Sequence, residues 1–99
     1  MRLKQYQIEI IRRAVAELAG DAAQVSLFGS RTDDNARGGD IDLLVELPHP
    51  VDESAWLSAR ISGRISLRLG GRKVDVVLSA PNLACLPIHD EAKKQGIVL

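Results

Sequence analysis

Residues 40 to 47 read Asp-Ile-Asp-Leu-Leu-Val-Glu-Leu, and no other segment constrains this chain as strongly. Side chains alternate across a strand. Ile41, Leu43, Val45 and Leu47 therefore share one face, and Asp40, Asp42, Leu44 and Glu46 the other. The apolar face calls for helices packed against it. The acidic face needs its own explanation, because carboxylates two residues apart crowd like charge onto one patch.

The rest of the chain supplies the helices and two more strands. Residues 4 to 19 place Ile8, Ile11, Val15 and Leu18 at helical spacing, with Gly20 as the stop. Residues 24 to 28 alternate and predict a strand ending at Gly29. Ser30-Arg31-Thr32-Asp33 fits a capping box, so a short helix is expected to start at Ser30, with Asp33 and Asp34 as cap and loop residues. After Pro48 and Pro50, Asp52 or Ser54 caps a helix reaching about Leu69 through Trp56, Leu57, Ile61 and Ile65. Gly70 and Gly71 end it. Residues 72 to 78 form a third strand, with Val74, Val76 and Leu78 opposite Lys73, Asp75 and Val77. Residues 88 to 95 predict a last helix and residues 97 to 99 an extended tail. The expected fold class is α/β (α+β), a small mixed three-stranded sheet flanked by helices.

The helix between the second and third strands is the crossover that parallel neighbours require. The first two strands are joined by about ten residues. An antiparallel pairing there brings Gly29 and Ser30 beside Asp40; a parallel one puts them at opposite ends of the sheet. With parallel second and third strands, Asp75 falls beside the Asp40–Asp42 pair. Three converging carboxylates repel, and a divalent cation is the usual compensation. Hard oxygen ligands suit Mg²⁺ or Mn²⁺ better than zinc. Two such ions about 4 Å apart clamp the attacking and leaving oxygens of a phosphoryl transfer. Gly29 lets backbone approach an anion closely, and Ser30 offers a hydroxyl at a helix start whose amides favour negative charge.

These motifs together resemble the minimal nucleotidyltransferase (MNT) family of the DNA polymerase beta-like superfamily. The resemblance rests on Leu27-Phe28-Gly29-Ser30-Arg31, on Asp40-Ile41-Asp42-Leu43-Leu44-Val45, and on the acid within Lys73-Val74-Asp75-Val76-Val77. It covers residues 27 to 77 firmly and the remainder loosely. It implies that Asp40, Asp42 and Asp75 hold Mg²⁺ in two sites, that Asp75 helps deprotonate the attacking hydroxyl, and that Gly29 and Ser30 hold the triphosphate of ATP. The implied reaction moves AMP to a hydroxyl, with pyrophosphate leaving. Gly39, where relatives often carry serine, and the short loop from Ser30 to Asp40 bear on nucleotide preference rather than on the chemistry.

Size and charge bear on the acceptor. The chain has 99 residues, read as one domain over 1–99, with no room for a second substrate domain of the kind that small-molecule transferases carry. Lys plus Arg equals Asp plus Glu, 13 against 13, and Tyr6, Phe28 and Trp56 are the only aromatics. Neither a basic excess nor stacking platforms are present to hold nucleic acid. The expected acceptor, or missing wall of the site, therefore comes from a second protein or subunit. The resemblance names one: a HEPN-type toxin adenylylated on tyrosine, with this chain as the antitoxin. A non-catalytic antitoxin that neutralises its partner by covering it is the alternative.

Cys85 stands alone, which excludes an internal disulfide and a thiolate metal cluster. The N-terminal segment is too polar for a signal peptide and no stretch is long enough to span a membrane, so a cytoplasmic protein is expected. His49 and His89 lack partners at ligand spacing and read as surface residues. Arg60, Arg64 and Arg68 read as a solvated stripe, Glu46 as solvated, Lys73 as a neighbour of Asp75, and Trp56 as core or interface packing.

Overall fold

Alternating and helical patterns become elements close to where the sequence puts them. The computed structural model describes residues 3–29, 41–84 and 86–99. Within these, α1 (Gln5–Ala19) leads to β1 (Gln24–Phe28), then β2 (Ile41–Glu46), α2 (Ser54–Arg68), β3 (Val74–Ser79), α3 (Pro87–Gln95) and β4 (Ile97–Val98). The expected short helix from Ser30, with Asp33 and Asp34, lies outside the described residues, as does Cys85.

The sheet runs β3-β2-β1-β4. It has four strands rather than three, because residues of the expected tail pair with β1, Ser26 facing Val98 and Leu27 facing Ile97. Two residues are too few to show alternation, so sequence alone gives no strand signal there. β1 and β2 are antiparallel, and β2 and β3 are parallel.

One face of the sheet carries the main core. Ile11, Ala14 and Val15 of α1 and Ile61 and Ile65 of α2 close over Leu27, Ile41, Leu43, Val45, Val74 and Leu78, all buried. The opposite face is not purely acidic. Leu44 is fully buried there with Phe28 and Ala92, and Val77 packs against them. α3 thus covers the middle of the face that carries Asp42 at one end and Glu46 at the other.

α1 starts where the Lys4 amide donates to Gln7 Oε1 at 2.9 Å, satisfying a donor the helix would otherwise orphan. The cap of α2 is Glu53 in a left-handed conformation, φ 50°, in place of the expected Asp52 or Ser54. The weak pattern after Pro81 is held by side chains instead of periodicity. Asn82 Oδ1 accepts from the Val51 amide at 2.9 Å, and its Nδ2 donates to the Val51 carbonyl at 2.8 Å.

His89 corrects the expectation of a surface residue, since it is 5% exposed. Its Nδ1 accepts from the Leu86 amide at 2.9 Å, capping α3. That bond places the ring proton on Nε2, which faces the Leu78 carbonyl at 2.9 Å. His89 therefore ties α3 to β3. His89→Ala leaves two backbone groups without partners, for an expected loss of about 2–3 kcal/mol in urea unfolding. His89→Gln retains an acceptor at the third helical position, as in a capping box, and recovers part of the loss.

The arginine stripe of α2 is not simply solvated. Arg68 meets Glu17 of α1 through two nitrogens, each at 3.0 Å, and Arg64 Nη1 reaches Glu17 Oε2 at 3.0 Å. The hydrogen bonds from Arg68 lead in holding the Glu17 carboxyl below its usual range, although burial opposes them. A depressed folded-state value stabilises the fold above the unfolded carboxylate pKa, and the gain disappears as pH falls through the folded value. Glu17→Gln is therefore expected to flatten that acid limb of a pH series of urea midpoints, with a small effect at neutral pH because the pair is exposed. Trp56 is 63% exposed, so it is not core.

Candidate active site

The antiparallel and parallel registers meet at one row of the sheet. Phe28 of β1 lies opposite Asp42 of β2, and Asp42 lies opposite Asp75 of β3. In-register neighbours share a face, and strands sit about 4.8 Å apart, so the two acidic side chains leave the sheet as neighbours on one face. Asp75 is exposed and Asp42 half-buried. The next row, Ser26–Leu44–Val77, is the one α3 closes over. The acids thus lie beside the apolar cover rather than under it. Glu46 pairs with Gln24 and Ser79 two rows away, roughly 13 Å along the strand. It takes no part in the pair.

Gly29 follows Phe28 and turns the chain at φ +76°, a region that L side chains rarely adopt. A Cβ at this position would stand 2.6 Å from Asp42 Oδ2 and 3.3 Å from its Cγ. The backbone of the corner therefore lies directly on the Asp42 carboxylate. Of the two pairings that the sequence leaves open, the antiparallel one is found, and it is the one that unites corner and acid.

Gly29, Asp42 and Asp75 are thus brought together. Ser30 and Asp40, the remaining expected site residues, lie outside the described residues. Lys73 has an exposed side chain, and its carbonyl accepts from the Ile41 amide at 3.0 Å, which extends the ladder past Asp75. Among the described residues, no group of three or more His, Cys, Asp or Glu side chains forms a metal site. Among these residues, Asp42 and Asp75 form a pair of hard oxygen donors on neighbouring strands, a set that fits Mg²⁺ or Mn²⁺. The covering of Leu44 by α3 was not expected. Its only trace in the sequence is an apolar residue placed between Asp42 and Glu46 on the polar phase of β2.

The fold has solved counterparts. One is a tri-AMPylated Shewanella oneidensis HEPN toxin in complex with MNT antitoxin, 19% identical, covering 97% of this chain and 71% of that one, with a TM-score of 0.68. Another is a toxin–antitoxin structure with AMP-PNP, 18% identical over 97% of this chain and 72% of that one, TM-score 0.68. A mutant of the toxin–antitoxin MntA-HpeT matches at 20% identity, 98% and 71% coverage, and TM-score 0.65. At these identities the likeness speaks for the fold. No curated protein matches the chain. Among the described residues, no helix is long and apolar enough to cross a membrane. The model of the nucleotidyltransferase domain matches residues 8–98, from within α1 to the end of β4. With nearly the whole chain matched and the acidic row built on the sheet that the match spans, this chain belongs to the nucleotidyltransferase domain family.

Proposed function

We propose that this protein transfers AMP from ATP to a tyrosine hydroxyl of a HEPN-type toxin and thereby acts as its antitoxin. The observation that carries the reading is the Asp42–Asp75 pair in register, with the Gly29 backbone laid against Asp42. Support for the partner comes from the solved neighbours, where an MNT antitoxin is complexed with an AMPylated HEPN toxin, and from the neighbour with AMP-PNP.

In this reading Asp40, Asp42 and Asp75 would hold Mg²⁺, in two sites. Bound there, Mg²⁺ would supply positive charge against the triphosphate and the entering oxygen. Gly29 and Ser30 hold the triphosphate through backbone and hydroxyl. Asp75, exposed at the open end of the row, accepts the proton of the acceptor hydroxyl. That oxygen bonds to the α-phosphorus, and the bond to the β-phosphate oxygen breaks and releases pyrophosphate. The rigid sheet holds the pair in position, and α3 shields the row behind it from water. In this reading the protein works in the cytoplasm, where ATP and Mg²⁺ are available.

The test uses ATP labelled in either of two positions. α-labelled ATP with Mg²⁺ is expected to label the toxin, and γ-labelled ATP is not. Labelling from the γ position would replace nucleotidyl transfer with phosphoryl transfer. Labelling from neither position, with a stable complex still formed, would leave neutralisation by binding.

A further inference from the structure

β3 is an edge strand, and its outward backbone groups can be assigned. The Ile41 amide donates to the Lys73 carbonyl and the Leu47 amide to the Ser79 carbonyl. In a parallel ladder residues 73, 75, 77 and 79 therefore turn their backbone groups toward β2, and residues 74, 76 and 78 turn theirs outward. Two of the outward carbonyls are already taken. Ser62 Oγ of α2 donates to the Val74 carbonyl, and His89 Nε2 meets the Leu78 carbonyl. Between these two plugs lies Val76, whose N–H and C=O both point out from the sheet.

A groove of about 310 Å³ runs along this stretch. Val76 and Leu78 form its floor, Ala55 and Ser58 of α2 one wall, and Leu83 and Leu86 the other. Leu86 is 53% exposed at the rim. One open strand position, Val76, between largely apolar walls suits backbone pairing flanked by side-chain pockets, as in strand addition. The walls decide against a second copy of this chain, because each copy would bring its own α2 and 83–86 segment into the other's groove. A single extended segment would bring no such bulk into the groove.

Position favours one source for that segment. Val76 adjoins Asp75, so a strand paired at Val76 runs alongside the acid proposed to receive the acceptor proton. We propose that the β3 edge groove docks an extended, apolar-flanked segment of the protein that is modified, pairing with the Val76 backbone and holding that protein at the site. The identity of the partner rests on the function proposed above; the groove itself does not.

The test has two arms. In the first, a short peptide of alternating valine and threonine is titrated into ¹⁵N-labelled protein, with a backbone N-methylated version as control. The Val76 amide resonance is expected to move together with those of Leu78, Leu83 and Leu86, and the control to leave them in place. Ala55→Arg puts a bulky charge on an exposed groove wall and is expected to abolish the shifts while amide spectra elsewhere stay unchanged. In the second arm, Ala55→Arg is expected to raise the KM for the HEPN-type toxin roughly tenfold with kcat retained. Shifts confined to other faces, or shifts that follow protein concentration without peptide, would overturn the proposal. So would an unchanged KM in Ala55→Arg where the wild-type chain labels the toxin. Absence of labelling by the wild-type chain would instead refute the transfer reading, with the groove still judged by the peptide.

Discussion

Gly29→Ala is expected to lower nucleotidyl transfer by about 100-fold while the protein still folds. The added methyl would stand 2.6 Å from Asp42 Oδ2, so the carboxylate has to swing away from its place against the Gly29 corner. Displacing a catalytic group by about 1 Å costs on the order of 10²-fold in rate. The φ of +76° adds a backbone cost of about 1–2 kcal/mol for any L side chain. Gly20→Ala separates the two effects. Gly20 also has a positive φ, +92°, but nothing lies within 4 Å of its would-be Cβ. It is expected to lose about 1–3 kcal/mol of stability and to keep its transfer rate at a temperature where it is folded. Rates at saturating ATP, measured beside thermal melts of both variants, check this. Equal loss of transfer in the two would mean that Gly29 matters for stability alone.

Asp42→Asn is expected to remove transfer without harming the metal-free fold. Substituting groups that merely support a metal ligand costs 10–100-fold, so neutralising the ligand itself is expected to cost at least about 100-fold. In the absence of metal the change removes one of two like charges on neighbouring strands, and the melting temperature in EDTA is expected to hold or rise. Added Mg²⁺ is expected to stabilise the wild-type protein more than the variant. A large drop in the EDTA melt would contradict the like-charge account. Protection of cells from the toxin by Asp42→Asn would make binding, not transfer, the means of neutralisation.

The parts of this structure that follow a period were legible in the sequence. The stripe of Ile8, Ile11, Val15 and Leu18 gave α1, and the alternation of Ile41, Leu43 and Val45 gave β2 with its acids turned from the main core. The helix between Leu47 and Lys73 gave the parallel pairing, and with it the Asp42–Asp75 row. What escaped was held by single contacts. The role of His89 depends on a carbonyl eleven residues away in β3, and β4 is two residues of pairing at the end of α3. Glu53 caps α2 by backbone conformation without a side-chain hydrogen bond, where the sequence pointed to the cap-forming types Asp52 and Ser54. The antiparallel β1–β2 pairing was not legible either, because a connection of that length permits both directions.

Intact mass of the HEPN-type toxin, after incubation with this protein, ATP and Mg²⁺, tests the central claim most directly. Asp42→Asn is run in parallel. The account predicts a gain of one or more adenylates on the toxin with the wild-type chain, mapped by fragmentation to tyrosine, and none with the variant. An unchanged toxin mass in a stable complex, or an equal gain with Asp42→Asn, would contradict it.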